Sequence, residues 1–179
     1  MKEQADINKL AERLKTGDQR AGEEIFNHFA PAMYRYFYAR TSQKETAQDL
    51  TQECFARLLQ HIGQFKGTQG SFNSWFWRIA RNLLIDTYRQ KKPNQSLEAM
   101  QDAGLDIVDP MERILPHVEL QRILEIIKTL PADEQELFHL YFTADTSYTD
   151  LADITGKSVV NLRVIIHRIK KKIIELSNS

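Results

Sequence analysis

Little in this chain punctuates or crosslinks it. Cys54 is its only cysteine, so no internal disulfide can form, and nothing after Met1-Lys2-Glu3-Gln4 has the apolar run of a secretory signal. Both points indicate a cytoplasmic protein. No stretch approaches the roughly eighteen uninterrupted apolar residues that cross a bilayer; the best candidate, 159–174, is broken by Arg163, Arg168 and Lys170 to Lys172, so a soluble chain is expected. Seven glycines and five prolines in 179 residues are too few turn signals for a many-stranded sandwich or barrel, which favours an all-α fold with few connections. Net charge is missing as well: 24 basic side chains balance 24 acidic ones, and the total predicts no affinity for nucleic acid.

The balance conceals a segregation. Residues 66–92 carry Lys66, Arg78, Arg81, Arg89, Lys91 and Lys92 against Asp86, a net +5, and residues 157–172 are +6 with no acid. Between them, residues 93–156 hold thirteen acids against three bases, a net −10. Clustered cations bind polyanions by releasing phosphate counterions, whereas the plainer reading is a pair of solvated helix faces.

Apolar spacing organises the chain. Ile7, Leu10, Ala11 and Leu14 form one helical stripe that Gly17-Asp18 should stop. A second helix carries Ile25, Phe26 and Phe29, with Pro31 expected to break it or start a new turn before Met33, Tyr34, Phe37 and Tyr38. Residues 46–62 place Leu50, Cys54, Phe55, Leu58, Leu59 and Ile62 on one stripe, and a loop at 66–71 precedes a long helix with Ser71 or Asn73 as its cap. Residues 93–117, with Pro93, Pro110 and Pro116 and no sustained period, read as a linker. The predicted architecture is two small helical domains, 1–92 and 118–179, joined by that linker.

The last two helices meet at Thr155-Gly156-Lys157, with Ala152, Gly156 and Leu162 at helix-turn-helix offsets and Ser158 as a cap. Lys157, Asn161 and Arg163 fall nearest bases or phosphates; Arg168, Lys170, Lys171 and Lys172 lie a turn or more farther and suit the backbone. On the long helix Phe76, Ile79, Ala80, Leu83 and Thr87 share one face, opposite Ser74, Arg78, Arg81, Asn82, Arg89 and Lys92. Trp75 and Trp77 flank the basic face, where rings could stack unpaired bases, or else both are core. In the preceding helix Asp49, Gln52, Glu53 and Ala56 form an acidic face whose spacing alone indicates solvent. His28, His61, His117, His139 and His167 show no metal-ligand spacing, and no phosphate loop or activated nucleophile is present, so neither metal nor cofactor nor enzymatic activity is expected.

The strings DLTQECFARLLQ (49–60), FKGTQGSFNSWFWRIARNLLIDTYRQKK (65–92), LPADEQELFHLYF (130–142) and SYTDLADITGKS (147–158) resemble bacterial RNA polymerase sigma factors of the extracytoplasmic-function group of the sigma-70 family. The resemblance implies that Asp49, Leu50, Gln52, Glu53 and Phe55 grip the clamp helices of core polymerase. It implies that Lys66, Gly67, Thr68, Trp75, Trp77, Arg78, Arg81, Asn82 and Arg89 capture and melt the minus-ten element. Lys157, Ser158, Asn161, Arg163, Arg168 and Lys171 would then read the minus-thirty-five element of promoter DNA, and an anti-sigma factor is a further partner such a chain can have. Family members usually carry polar or basic residues where this chain has Val164-Ile165, leaving Val160 and Val164 as an apolar strip that could meet thymine methyls, pack against the first domain or an inhibitor, or belong to its own core. The competing class is a helix-turn-helix regulator or protein-binding adaptor that never engages polymerase; such a protein needs neither the DLTQE face nor the loop with its tryptophans.

Overall fold

The computed structural model describes residues 2–68, 70–91, 123, 125–144 and 146–177; the linker expected at 93–117 and Lys92 lie outside the described residues. Helix α1 (Lys2–Lys15) ends where Gly17 takes φ 85°, a left-handed turn that glycine adopts without steric cost. Asp18 then caps α2 (Gln19–Thr41), accepting from the Arg20 and Ala21 amides at 3.0 and 3.3 Å and from Arg13 Nε at 2.8 Å. The Arg13 hydrogen bond, ahead of the amides, holds the Asp18 carboxyl below its ordinary range.

The expected break at Pro31 does not occur, for α2 runs through it as a single helix. Ile25 and Phe29 before the proline and Met33, Tyr36 and Phe37 after it are buried in the same core, and that shared stripe outweighs one missing backbone donor. Helix α3 (Lys44–His61) continues into a 3₁₀ turn at Ile62–Gln64, and α4 (Phe72–Lys91) starts at Ser71, whose Oγ accepts the Ser74 amide at 3.0 Å. Phe29, Phe72 and Phe76 meet edge to face at centroid distances of 5.2 and 5.7 Å, locking α2 to α4. Cys54 lies in the same core, and its burial raises the thiol pKa far above the ordinary value.

In the second unit residues 125–128 are helical, and after a turn at Pro131 the chain continues as α5 (Ala132–Phe138), which widens into one π-helical turn at His139–Thr143. Helices α6 (Tyr148–Thr155) and α7 (Val159–Ser177) follow, and Ile127, Leu130, Leu137, Leu151, Leu162, Ile166 and Ile169 fill the space between them. The two units are packed together, α6 lying along α4 and the π-helical turn against α2.

His139 is buried at that junction, and burial first, then the Arg40 guanidinium, push its pKa down to about 3. The native imidazole therefore stays neutral while the unfolded one gains a proton below its ordinary value of about 6.5. The stability this group contributes is complete above that value and falls as pH drops towards 3. Melting temperatures between pH 6.5 and 5 are expected to decline, with a shallower slope in His139→Gln; equal slopes would exclude the imidazole as the cause.

Candidate nucleic-acid interface

Three surfaces emerge. On α3, Asp49, Gln52 and Glu53 are all exposed, and Glu53 accepts from Arg57 Nε at 2.9 Å. Leu50 does not belong to this face: it is buried in the core, because at one position beyond Asp49 it falls on the Cys54 and Leu58 stripe. Phe55 is half-buried, its ring 4.8 Å from Phe26 and 5.2 Å from Phe76. Periodicity placed Leu59 inside, yet it is 62% exposed, and Phe26 is 51% exposed beside Phe55. An apolar patch therefore adjoins the acidic face, a combination typical of a protein-binding surface. The available signal was the width of the stripe, since Leu58 and Leu59 lie 100° apart and only one can point at the core centre.

The second surface joins the 66–71 loop to α4. Lys66, Gly67 and Thr68 are exposed, and Phe65 anchors the loop by burying its ring against Phe72 and Trp75. Trp75 is half-buried, and with the exposed Arg78, Asn82 and Arg89 it lines one side of α4. Trp77 is not on that side. It is 0% exposed, edge to face with Tyr36 at 5.5 Å, because two residues along a helix turn the side chain through 200°. Ser74 is buried too, and Arg81 is half-buried.

What covers Arg81 and the start of α4 is the second unit. Glu136 accepts from Arg81 Nε at 3.1 Å and from Arg81 Nη2 at 3.4 Å, and the same carboxylate accepts from the Tyr36 hydroxyl at 3.3 Å. Burial, followed by the Glu136 charge, drives the Tyr36 pKa well above its ordinary value. Asp150 accepts from Ser71 Oγ and from Asn73 Nδ2 at 3.2 Å, while closing a capping box with Ser147 inside α6. Arg40 adds a bond to the Ala132 carbonyl at 3.2 Å. None of these partners was legible in the sequence, since 55 to 100 residues separate them.

The third surface is the helix-turn-helix. Gly156 takes φ 73° and returns its amide to Ala152 O at 2.8 Å, a conformation that ends α6 and redirects the chain into α7. Ser158 caps α7 through the Asn161 amide at 3.3 Å, and Leu162 is buried as the pattern requires. Asn161 and Arg163 are exposed, with Arg163 lying 5.7 Å over the Tyr148 ring. Lys157 stands 3.9 Å from Asp133, Arg168 is paired with Glu134, and Lys171 lies 3.6 Å from Glu175. Ile165 is core, whereas Val160 and Val164 face outward; they neither join the two units nor fill their own interior. Among the described residues no His, Cys, Asp and Glu side chains converge as a metal site, and no helix is long and apolar enough to cross a membrane.

A helical unit with a cationic, ring-flanked helix, joined to a helix-turn-helix, defines a DNA-binding protein of two small domains. Residues 25–93 match the family described as Sigma-70 region 2 and residues 120–173 match Sigma-70, region 4. The chain is 29% identical over 166 residues to the ECF RNA polymerase sigma factor BldN of Streptomyces coelicolor, covering 92% of this chain and 63% of that protein. It is 29% identical over 172 residues to the ECF RNA polymerase sigma factor SigW of Bacillus subtilis, covering 90% of this chain and 91% of that one. Its fold is similar to that of the sigma factor RpoE of Bartonella quintana, solved in complex with the anti-sigma factor NepR, with a TM-score of 0.64 at 21% identity over 86% of this chain and 94% of that one. The chain belongs to the sigma-70 family of RNA polymerase sigma factors, in its extracytoplasmic-function group. Such factors are non-enzymatic subunits that bind core RNA polymerase and direct transcription initiation.

Proposed function

We propose that this chain acts in the cytoplasm, gives core RNA polymerase its promoter specificity, and divides the work among the three surfaces. The α3 face binds polymerase through Asp49, Gln52 and Glu53, with Phe26, Phe55 and Leu59 as the apolar part of the contact. The domain ending near residue 92 captures the minus-ten element: Lys66, Gly67 and Thr68 approach the displaced base, Trp75 stacks, and Arg78, Asn82 and Arg89 hold the strand. Arg81 joins them once Glu136 has moved away. The domain from residue 118, tethered by 93–117, lays α7 in the major groove, with Asn161 and Arg163 at the bases and Lys157, Ser158, Arg168 and Lys171 at the backbone. An anti-sigma factor is a further partner on this reading, as NepR is a partner of the Bartonella factor named above.

The observation that carries this reading over a simple helix-turn-helix regulator is the α3 face, where exposed acids adjoin two exposed apolar side chains that a repressor has no use for. Transcription in vitro with core enzyme on a genomic library is expected to start at discrete sites. Asp49→Lys combined with Glu53→Lys is expected to weaken core binding by at least about tenfold, a loss typical of disrupted charge complementarity. Stability should move by no more than about 0.5 kcal/mol, because both residues are exposed. Unchanged capture of core polymerase by the double variant would return α3 to the role of a solvated helix.

A further inference from the structure

The outward face of α7 carries an apolar pair that nothing in the described chain covers. Val160 is 72% exposed and Val164 60% exposed, one turn apart, while Leu162, Ile165, Ile166 and Ile169 point the other way into the core. The surroundings of the pair are polar and mainly cationic: Asn161, Arg163, Arg168 and Lys171 are all exposed and residues 157–172 contain no acid, although Asp133, Glu134 and Glu175 approach Lys157, Arg168 and Lys171. A surface that is apolar at its centre and positive around it suits a groove lined by phosphates with an apolar group on its floor. The major groove of DNA offers one such group, the C5 methyl of thymine.

Resting on the reading of α7 as the recognition helix, we infer that Val160 and Val164 select thymine by contact with its methyl group in the upstream promoter element. The placement fits. Residues at the start of a recognition helix meet base edges, and Val160 is the second residue of α7. A rise of about 1.5 Å per residue separates the two side chains by about 6 Å, close to two base-pair steps of about 3.4 Å. The pair therefore addresses two thymines that are near neighbours along the site. Valine neither donates nor accepts a hydrogen bond, so its whole discrimination lies in sheltering a methyl from water and in rejecting cytosine, whose amino group would lose its own solvation there. Sheltering one methyl is worth about a fourfold preference.

Uracil tests this directly, because it pairs as thymine does and lacks only the methyl. Sites would be selected from randomised duplexes with the full chain bound to core polymerase. The best site would then be resynthesised with deoxyuridine at each upstream thymine in turn. Uracil at one or two positions is expected to reduce affinity about fourfold each. Val160→Ala with Val164→Ala is expected to remove that penalty while leaving the salt dependence, which the cations set, unchanged. Both residues are exposed and alanine favours helix, so the double variant should keep its circular dichroism. Site selection and initiation that proceed with no response to uracil at any position would overturn the inference, as would a penalty that survives in the variant. A variant that loses only the capture of another protein would overturn it in favour of a protein interface. Absence of any selected site or discrete start would instead strike the sigma reading on which it rests.

Discussion

Trp77→Ala is expected to cost about 3–5 kcal/mol of folding stability, the range for removing a large aromatic side chain from a packed core. Trp77 has no exposed surface and sits edge to face on Tyr36, and its Nε1 finds no acceptor among the described residues. Trp77→Phe keeps most of the ring and removes that buried donor, so it should cost much less, within about 1.5 kcal/mol. Urea unfolding followed by circular dichroism separates the two. A stable Trp77→Ala would mean that the ring leaves the core in solution and is free to meet DNA. Trp75, half-buried and beside Arg78, is the ring on which strand capture should be tested.

Cutting the clasp between the two units is expected to open the chain. Glu136 receives three hydrogen bonds from Arg81 and Tyr36, and Asn73 gives one to Asp150. Bonds to a charged partner contribute about 1.5–3 kcal/mol each where water is excluded, and less here because Arg81 keeps a quarter of its side-chain surface. Glu136→Ala with Asn73→Ala should nevertheless shift the closed-to-open ratio by at least about tenfold, equivalent to about 1.4 kcal/mol. Glu136 is the better target, since Asp150 also closes the cap of α6 and its loss would confuse opening with unfolding. Small-angle scattering should register a larger radius of gyration, and a single-stranded oligonucleotide should bind more tightly as Arg81 becomes available. If the radius stays as it was, apolar packing between α4 and α6 holds the units together and the acids merely decorate it.

The helices were legible because each buries one stripe, and the period of the stripe is local information. The caps at Ser71 and Ser158 and the turn at Gly156 follow from residue chemistry at the boundary. Pro31 misled because its local penalty was visible and the core on both sides of it was not. The α4 face was legible only in part: the same wheel that placed Arg78, Asn82 and Arg89 outside also placed Ser74 and Arg81 there, and those two are covered by Glu136, Asp150 and the helices that carry them. No periodicity within α4 encodes a partner more than fifty residues away. Val160 and Val164 were ambiguous for a related reason, since a valine on the edge of a stripe declares its side only once the helix is packed.

Cys54 has a practical corollary. Its sulfur is walled in by the first domain and kept protonated, so maleimides and mild oxidants should find nothing to react with in the native chain. A redox signal would have to arrive through another protein. For the same reason, any cysteine introduced on the surface would be the lone reactive thiol, and a fluorophore placed on either domain would report on that domain without background.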